Sequence, residues 1–500
     1  MKNKIIFFLF SVFFIPLTAY AQESSFLDSI DKPFASIVNI LAGFLFFQFE
    51  FFPVPLILIW LTCGGIFFTF KMRFFSLRGI KHAIDVTMGK YDNPADPGEV
   101  SHFQALSSAL SATVGLGNIA GVAVAIGVGG PGAIFWMWIS AIIGMTSKFV
   151  ECTLAQTYRQ RNPKTGEVRG GPMYTLSLGL KDLHPRLSII GKILGIFFAA
   201  FTSLSALGAG NMFQANQTFE QLKISFPSLD NMEFAVGIAL SILVGLVIIG
   251  GIHRIGMIAS KIVPIMCGGY IIICMYIILS NITMIPDVFV TIFSSAFTNN
   301  AAFGGFLGVM IQGIRRASFS NEAGMGSSAI AHAAAKTNEP VREGAVAMLE
   351  PVIDTLFVCT MTALVVVITG MYEIPELKGK GVAMTSAAFS TVSSWFPWFL
   401  TATVFLFAYS TMISWYYYGE KAFEYLFKNS NVIIYKIIFL TFTVFGTCIN
   451  LKNVLDFSDM IFLAMAFPNI FGGILLSGKV KRQLDEYWRK YKNNEFQVYK

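Results

Sequence analysis

Long apolar runs follow one another from residue 40 to residue 478, and short polar or basic segments separate them. A helix needs ~20 apolar residues to cross the hydrocarbon core of a bilayer, so the pattern predicts about eleven transmembrane helices. The predicted spans are 40–70, 104–128, 131–158, 187–215, 233–250, 254–280, 300–335, 343–370, 396–425, 433–450 and 453–478.

One run, residues 105–132, carries Thr113, Gly115, Gly117 and Asn118 at a depth where lipid favours an unbroken helix. Closely spaced glycines weaken a helix, and non-helical backbone at membrane depth persists only inside protein or beside a watery cavity. The carbonyls of such a break can coordinate a cation, and its amides can hold a carboxylate. The alternative is a tolerated glycine kink, because membrane helices are rich in glycine.

The seventh run, residues 301–336, is too long for one simple span and holds Arg315, Arg316, Asn321 and Glu322 between small residues. When the N-terminal span is set aside, the two irregular runs are the first and the sixth of the ten that remain. Broken segments at matching positions of two five-helix halves indicate a secondary transporter built from an inverted repeat.

Composition supports a membrane protein. The chain is 55% hydrophobic and only 13% charged, and a soluble protein of this size carries about twice that charged fraction. We therefore expect an all-α polytopic membrane protein, with the lipid bilayer as its surroundings. The net charge of +7 is modest and is interpreted as a topology signal, so no nucleic-acid partner is expected. No organic cofactor and no oligomer are implied.

The N-terminus has the features of a secretory signal peptide. Lys2 and Lys4 precede a short apolar run, and the sequence Ala-Tyr-Ala ends at Ala21. This order predicts cleavage after Ala21, which places the mature N-terminus outside a bacterial inner membrane. The alternative is a retained signal anchor.

Basic residues test the layout independently. The segments placed on one side hold Lys71, Arg73, Arg78, Lys81, Lys90, Arg159, Arg161, Lys164, Arg169, Lys479, Lys481, Arg482, Arg489, Lys490 and Lys492. The positive-inside rule assigns that side, and the C-terminus, to the cytoplasm. The predicted division is a signal peptide at 1–21, an N-terminal helix and cytoplasmic loop at 22–103, a transporter core at 104–478 and a basic cytoplasmic tail at 479–500.

Further polar residues lie inside predicted spans or at the end of the fourth one, where lipid makes them costly. Such residues are functional candidates by default, although an interhelical hydrogen bond is the alternative for any single one of them. They are Asn211, Gln214, Asn216, Asp354, Ser410, Thr411 and Trp415.

A series of short sequences occurs in order between residues 100 and 425: ALSSALSATVGLGNIAG, GGPGAIFWMWISAIIGMTSKFVE, GGPMY, FSNEAGMGSSAIAHAAA, EPVIDTLFVCTMTAL and AYSTMISWYYYGEKA. Together they resemble the alanine/glycine:cation symporter family. The resemblance implies a leucine-transporter-like 5+5 inverted repeat with one extra N-terminal helix. It also implies import of a small neutral amino acid, alanine or glycine, by symport with Na⁺.

The resemblance also suggests roles for individual residues. The substrate carboxylate would be held by Asn118 and by the backbone around Thr113, Gly115 and Gly117. The segment that contains these residues is similar to the unwound first core helix of sodium-coupled neurotransmitter-type transporters. Gln214 would bond the polar end of the substrate, and Trp415 would cap the pocket and limit side-chain size. A second break around Ser318, Phe319, Ser320 and Asn321 would supply the second half of the site.

The implied Na⁺ site combines backbone carbonyls near Ser111 and Val114 with the hydroxyls of Ser410 and Thr411. These are hard oxygen ligands, as a small hard cation requires. Glu322 is expected to brace the second break against Arg315 or Arg316 rather than to touch ligand.

Other functions remain as alternatives. A proton-coupled symporter of the same fold would use a buried carboxylate as its relay, with Asp354 or Glu151 as the candidate. A channel would show repeated filter-like loops, and an intramembrane enzyme would show a set such as HExxH or GxSxG. The sequence contains neither, so we do not expect an enzyme.

Overall fold

The computed structural model describes residues 54–162, 166–249, 251–297, 305–427 and 432–499, together with Ser36 and Gly43. The predicted signal peptide and the start of the first predicted span lie outside these residues. The described part is mostly helical and includes a short antiparallel ribbon, in which β1 (Gln160–Arg161) pairs with β2 (Val168–Arg169).

The helices follow the apolar runs of the sequence. Over the first half of the described chain they are α1 (Leu56–Lys71), α2 (Phe75–Arg78), α3 (Ile80–Thr87), α4 (His102–Thr113), α5 (Val122–Gly129), α6 (Ala133–Thr157), α7 (Pro172–Tyr174), α8 (Leu180–Leu183), α9 (Ser188–Leu207), α10 (Phe213–Ser225) and α11 (Glu233–Ile248). Over the second half they are α12 (Gly251–Ser280), α13 (Ile285–Ser295), α14 (Gly305–Asn321), α15 (Ala329–His332), α16 (Pro340–Ala347), α17 (Thr360–Ile368), α18 (Val382–Ser390), α19 (Phe396–Leu426), α20 (Val432–Cys448), α21 (Leu451–Ala464) and α22 (Ala466–Lys492).

Short segments with other helical geometry connect several of these helices. Wider π-helical turns lie at Gly117–Gly121, Thr175–Gly179, Gly208–Met212 and Val352–Cys359, and 3-10 turns lie at Pro185–Leu187, Pro227–Leu229, Ile282–Met284, Met371–Glu373 and Pro375–Leu377. Such π turns inside helices frequently accompany functional sites.

Several helices are long and apolar enough to cross a membrane. In the described ranges there are 6 of them, or up to 7 when the bent pair His102–Thr113 and Gly117–Gly129 is counted as one span. Shorter apolar helices such as α1, α11 and α20 accompany them. The chain is therefore a multi-pass membrane protein, and the total of about eleven spans stays a prediction.

The first predicted break is present. A capping box at Ser101 and Gln104 starts α4, and α4 ends at Thr113, four residues before helical structure resumes at Gly117. The chain bends by 52° across this gap. Gly115 and Gly117 allow the interruption because they lack side chains that would favour a continuous helix.

The second break is also present, but the predicted register was wrong. Ser318 to Asn321 form the last turn of α14, and the chain leaves the helix at Glu322, which has a φ of +57°. Gly324 and Gly326 follow with φ values of +86° and +84°. Such left-handed positions favour glycine. The break therefore begins at Glu322 and continues through Gly324 and Gly326, after the polar residues Ser318–Asn321 and not among them.

Other elements were not predicted from the apolar pattern. The loop after the sixth span contains α13, and the loop before the ninth span contains α18. The eighth span begins at Pro340, earlier than expected, and the predicted tail continues α22 as far as Lys492. Helices as short as α13 and α18, or as basic as the end of α22, do not register in a search for long apolar runs.

The basic segments predicted to share one side of the membrane contact one another. The His82 ring lies 2.7 Å from the Tyr487 hydroxyl, and Lys479 donates to the Tyr158 hydroxyl over 3.1 Å. Lys490 pairs with Glu339 at 3.1 Å. The loops after α1 and α6 and the C-terminal helix therefore lie at the same end of the molecule.

Candidate functional site

The two breaks lie against each other. A methyl group on Gly117 would lie 3.3 Å from the Phe319 ring and 3.5 Å from the Ser320 backbone, so the absence of a side chain allows this close approach. Every residue that the sequence assigned to the substrate or the ion is buried. The residues predicted for the site therefore lie in the interior of the molecule, near the junction of the two broken helices.

Hydroxyl and carbonyl oxygens gather where the end of α4 meets α19. Thr411 donates to the Ser111 carbonyl over 3.1 Å, and the Ser111 hydroxyl donates to the Ser410 carbonyl over 2.9 Å. Ser414, which was not predicted, donates to the Ser111 hydroxyl over 2.9 Å. The cluster, with Val114 at the start of the break, offers the hard oxygen donors that suit a hard cation.

Gln214 reaches the first break from α10. The Leu116 amide donates to Gln214 Oε1 over 3.1 Å, and Gln214 Nε2 donates to the Ala209 carbonyl over 3.0 Å. A methyl group on Gly115 would lie 2.4 Å from Thr411 Oγ1 and 3.2 Å from Gln214 Oε1. Gly115 therefore sits where the break contacts both α10 and α19.

A buried carboxylate joins the two breaks. Asn118 accepts from the Gly115 amide at 3.0 Å and donates to Asp354 Oδ1 at 2.5 Å. Asp354 Oδ2 accepts from the hydroxyls of Ser320 and Thr355, each at 2.7 Å. The sequence identified Asp354 as a polar residue within a span and as a candidate proton relay. The structure places it between Asn118 of the first break and Ser320 of α14.

The side chains of two residues predicted for the site bond neighbouring helix ends and not the first break. The Thr113 hydroxyl bonds the Ala109 carbonyl of its own helix at 3.3 Å. Asn321 donates to Thr355 Oγ1 at 3.0 Å and accepts from the Ala323 amide, also at 3.0 Å. In this conformation both side chains stabilise the helix ends next to the site.

Aromatic rings form one wall of the site. Phe319 packs edge-on against Phe213 and Phe462, with ring centroids 5.2 and 5.6 Å apart. Trp415 also packs on Phe462, with ring centroids 5.8 Å apart, and a methyl group on Gly210 would lie 2.3 Å from Trp415 Cβ. The rings thus connect α14 to α19 through Phe462.

The predicted partner of the two arginines was wrong. Arg315 and Arg316 both pair with Asp459 of α21, and Arg315 Nε lies 2.7 Å from Asp459 Oδ2. Arg316 also stacks over the Phe319 ring, 5.3 Å from its centroid. Glu322 lies beyond the end of α14, where its backbone turns away from the arginines, and it bonds Trp415 instead.

A second group of buried charged residues lies outside the breaks. His332 contacts Glu343 at 2.5 Å and Glu350 at 2.8 Å, and Lys148 pairs with Glu350 at 3.0 Å. His102, at the start of α4, also pairs with Glu343. These contacts join α4, α6, α15 and α16 by paired charges, as buried ions require.

Part of this group has the composition of a metal site. One ligand atom each from Cys152, His332 and Glu350 lies within 4.8 Å of the others. Both ring nitrogens of His332 already face carboxylates, however, and the Lys148 ammonium lies against Glu350. A cation at this position would compete with those contacts, so the arrangement fits an ion-pair network.

One missed residue carried a signal in the sequence. Ser410, Thr411, Ser414 and Trp415 recur with helical spacing, which places them on one face of α19. That stripe would have identified Ser414 together with the residues that were predicted.

The fold resembles that of a solved structure. The crystal structure of MhsT in complex with L-phenylalanine superposes with a TM-score of 0.55 at 16% identity, covering 76% of this chain and 88% of that one. The chain therefore has the leucine-transporter-like fold that the sequence led us to expect.

The chain belongs to the sodium:alanine symporter family, whose model matches residues 39–500. The sodium/alanine symporter AgcS of Methanococcus maripaludis is 41% identical and covers 89% of this chain and 96% of its own length. The probable sodium/glutamine symporter GlnT of Bacillus subtilis is 37% identical, with 89% and 90% covered. The amino-acid carrier protein AlsT of Bacillus subtilis is 34% identical, with 93% and 95% covered. Family and fold together define a sodium-coupled amino-acid symporter, not an enzyme.

Proposed function

We propose that this protein imports a small neutral amino acid, alanine or glycine, together with Na⁺. The observation that carries the proposal is the oxygen cluster of Ser111, Ser410, Thr411 and Ser414 beside the first break. Its donors are uncharged oxygens from two helices, so a cation can link those helices without displacing an ion pair. The name of AgcS supports both the ion and the substrate.

The backbone of the first break supplies the substrate's anion site. The amides of Gly115 and Leu116 now donate to the side-chain oxygens of Asn118 and Gln214. These oxygens occupy the positions that a carboxylate of an amino acid takes when it binds to freed amides. Gln214 then turns to bond the polar end of the substrate, and Gly117 keeps the backbone accessible.

Residues of α14 and α19 complete the pocket. Phe319 and Trp415 form its apolar wall, and Ser320 and Asn321 lie at its polar side. The Val114 carbonyl is a further Na⁺ ligand. Because these side chains already fill the space around Gly115 and Gly117, only a small substrate side chain fits between them.

The geometry couples ion and substrate. Na⁺ joins α19 to α4 at Ser111, which orders the break that binds the amino acid. Each ligand then raises the affinity of the other, and such coupling typically amounts to about 1–3 kcal/mol. A negative membrane potential adds ~2.3 kcal/mol per charge per 100 mV to inward movement. Rocking of the broken helices against their neighbours exposes the site to each side in turn.

The same proposal includes an orientation. The basic end formed by the loops after α1 and α6 and by the C-terminal helix faces the cytoplasm of a bacterial inner membrane, with the mature N-terminus outside. A cysteine introduced near Lys490 tests this orientation. In intact cells it should react with a membrane-permeant thiol reagent and not with an impermeant one.

Proton coupling is the second candidate, and one observation favours it. Asp354 is fully buried and contacts residues of both broken helices, which is where a relay carboxylate would act. Glu151 is less suited, because it accepts from Asn469 of α22 at 2.8 Å, whereas Asp354 bonds Asn118 and Ser320 directly.

Uptake by purified protein in proteoliposomes separates the two candidates. Radiolabelled alanine should accumulate under an inward Na⁺ gradient and fail to accumulate when choline replaces Na⁺, and glycine should compete. Accumulation driven by a proton gradient alone would contradict Na⁺ coupling while leaving the fold unchanged. Absence of alanine uptake under both gradients would contradict the proposed substrate.

A further inference from the structure

Glu322 has an unusual place next to the site. It is the first residue after α14, it has a φ of +57°, and its side chain is 1% exposed. Lys148, the buried cation of the neighbouring network, pairs with Glu350 and not with Glu322. The two donors that Glu322 receives are instead the Ser327 hydroxyl and the Trp415 indole.

The bond to Trp415 crosses between the second break and α19. Trp415 Nε1 donates to Glu322 Oε1 over 3.0 Å. An indole has one polar atom, which is a donor, so the position of the acceptor decides which way the ring points. Rotation of the ring would leave both the indole N–H and the carboxylate oxygen unpaired in a buried place, and that is unfavourable.

The position of Trp415 matters because the ring lies beside the site. Trp415 follows Thr411 by one helical turn, and Thr411 Oγ1 lies 2.4 Å from where a methyl group on Gly115 would be. The ring also packs on Phe462, which contacts Phe319 next to Gly117. Any movement of the indole therefore changes the space next to the break.

We propose that Glu322 is a positioning residue for substrate selection: its carboxylate fixes the Trp415 indole in the orientation that closes the pocket to large side chains. The proposal rests on the proposed function of the site and adds the element that sets its size. Glu322 acts through Trp415 and does not need to touch the substrate.

The test compares Glu322→Ala with Glu322→Gln in the full-length protein reconstituted into proteoliposomes. Glutamine keeps an oxygen for the indole and a donor for Ser327, whereas alanine removes both contacts. The measurement is inhibition of Na⁺-driven alanine uptake by unlabelled leucine, expressed as the ratio of the leucine and alanine inhibition constants. Uptake without competitor shows that each variant is folded and active.

Loss of the acceptor should widen the pocket. We expect Glu322→Ala to lower the ratio of the leucine inhibition constant to the alanine inhibition constant by about tenfold or more, because leucine then fits better. Pocket shape discriminates apolar side chains on this scale. Glu322→Gln should restore the native ratio to within a small factor. Trp415→Phe, which keeps a ring but lacks the indole N–H, should behave like Glu322→Ala, and the double variant should show no further change.

Several results would overturn the proposal. A native ratio in active Glu322→Ala, equal effects of the alanine and glutamine variants, or additive effects in the double variant would each contradict it. If Glu322→Ala is inactive, Trp415→Phe decides, and a native ratio there is a contradiction. Failure of the native protein to accumulate alanine with Na⁺ would instead count against the proposed function itself.

Discussion

The Thr411 hydroxyl donates to the Ser111 carbonyl over 3.1 Å and so joins α19 to the last turn of α4, directly before the first break. The bond places a side-chain oxygen of one helix and a backbone oxygen of the other in a single cluster. A cation bound there would replace this hydrogen bond with two ligand bonds and keep the helices together. The first prediction follows from that exchange.

Thr411→Ala should weaken Na⁺ binding specifically. Removal of one oxygen ligand of a charged group costs on the order of 1.5–3 kcal/mol, and we expect the apparent Na⁺ affinity of alanine uptake to fall correspondingly, by about tenfold or more. Excess Na⁺ should recover part of the activity. The measurement is the Na⁺ concentration that gives half-maximal uptake.

Thr403→Ala is the matched control for that variant. Thr403 lies on the same helix and is buried, but its hydroxyl bonds the Phe399 carbonyl of its own helix over 2.9 Å. It should retain the native Na⁺ dependence. Equal Na⁺ dependence in the two threonine variants would show that the cluster at Ser111 does not bind the ion.

Gly115→Ala should abolish uptake while the protein still inserts into the membrane. The added methyl group would lie 2.4 Å from Thr411 Oγ1, and overpacking of this kind costs about 1–3 kcal/mol. Gly121→Ala is the control, because the nearest atom to its added methyl group, the Leu116 oxygen, is 4.0 Å away. Uptake by both variants, compared at equal protein in the membrane, checks the prediction, and full activity of Gly115→Ala would contradict the close approach.

Asp354→Asn should distinguish a structural carboxylate from a proton relay. Asparagine keeps one oxygen to accept from Asn118 or Ser320 but cannot carry a proton across the site. Under Na⁺ coupling we expect slower uptake that remains driven by the Na⁺ gradient. The rate is measured against external pH at a fixed Na⁺ gradient. Retained exchange with loss of all gradient-driven uptake would instead support the proton-coupled alternative.

The buried ion pair between Lys148 and Glu350 should be important for stability. Lys148→Met removes the ammonium from Glu350 and leaves that carboxylate with His332 alone, and breaking one partner of a buried pair costs about 3–5 kcal/mol. Thermal unfolding in detergent should show a clearly lower midpoint. Lys223→Met removes a partly exposed pair with Glu220, worth about 0–1 kcal/mol, and should leave the midpoint nearly unchanged. Equal midpoints for both variants would contradict the role of the network.

The sequence predicted features that depend on local chemistry. The break at Gly115 and Gly117 follows from glycine spacing, and the oxygens of Ser111 and Thr411 follow from a resemblance that extends over the transporter core. The register of the second break was wrong because polar residues drew attention to Ser318–Asn321, whereas the left-handed backbone of Glu322 sets the break. Backbone conformation of a non-glycine residue is not encoded in a hydropathy pattern.

The sequence also did not predict which charged side chains pair with one another. Glu322 and Arg316 are close in sequence and opposite in charge, so pairing them was reasonable. The helix that carries Arg316 directs it toward Asp459, more than a hundred residues later in the chain, and Glu322 turns toward Trp415. Contacts of this kind depend on how distant helices pack, which a single sequence does not reveal.

The most direct test of the account is equilibrium binding of labelled alanine and of Na⁺ to the purified protein, each measured with and without the other. Because coupling between two sites is reciprocal, Na⁺ should lower the alanine dissociation constant and alanine should lower the Na⁺ dissociation constant by the same factor, about 5-fold to 150-fold. Thr411→Ala should reduce both factors together. Alanine binding that is independent of Na⁺ would contradict the claim that the cluster at Ser111 and Thr411 couples the ion to the substrate.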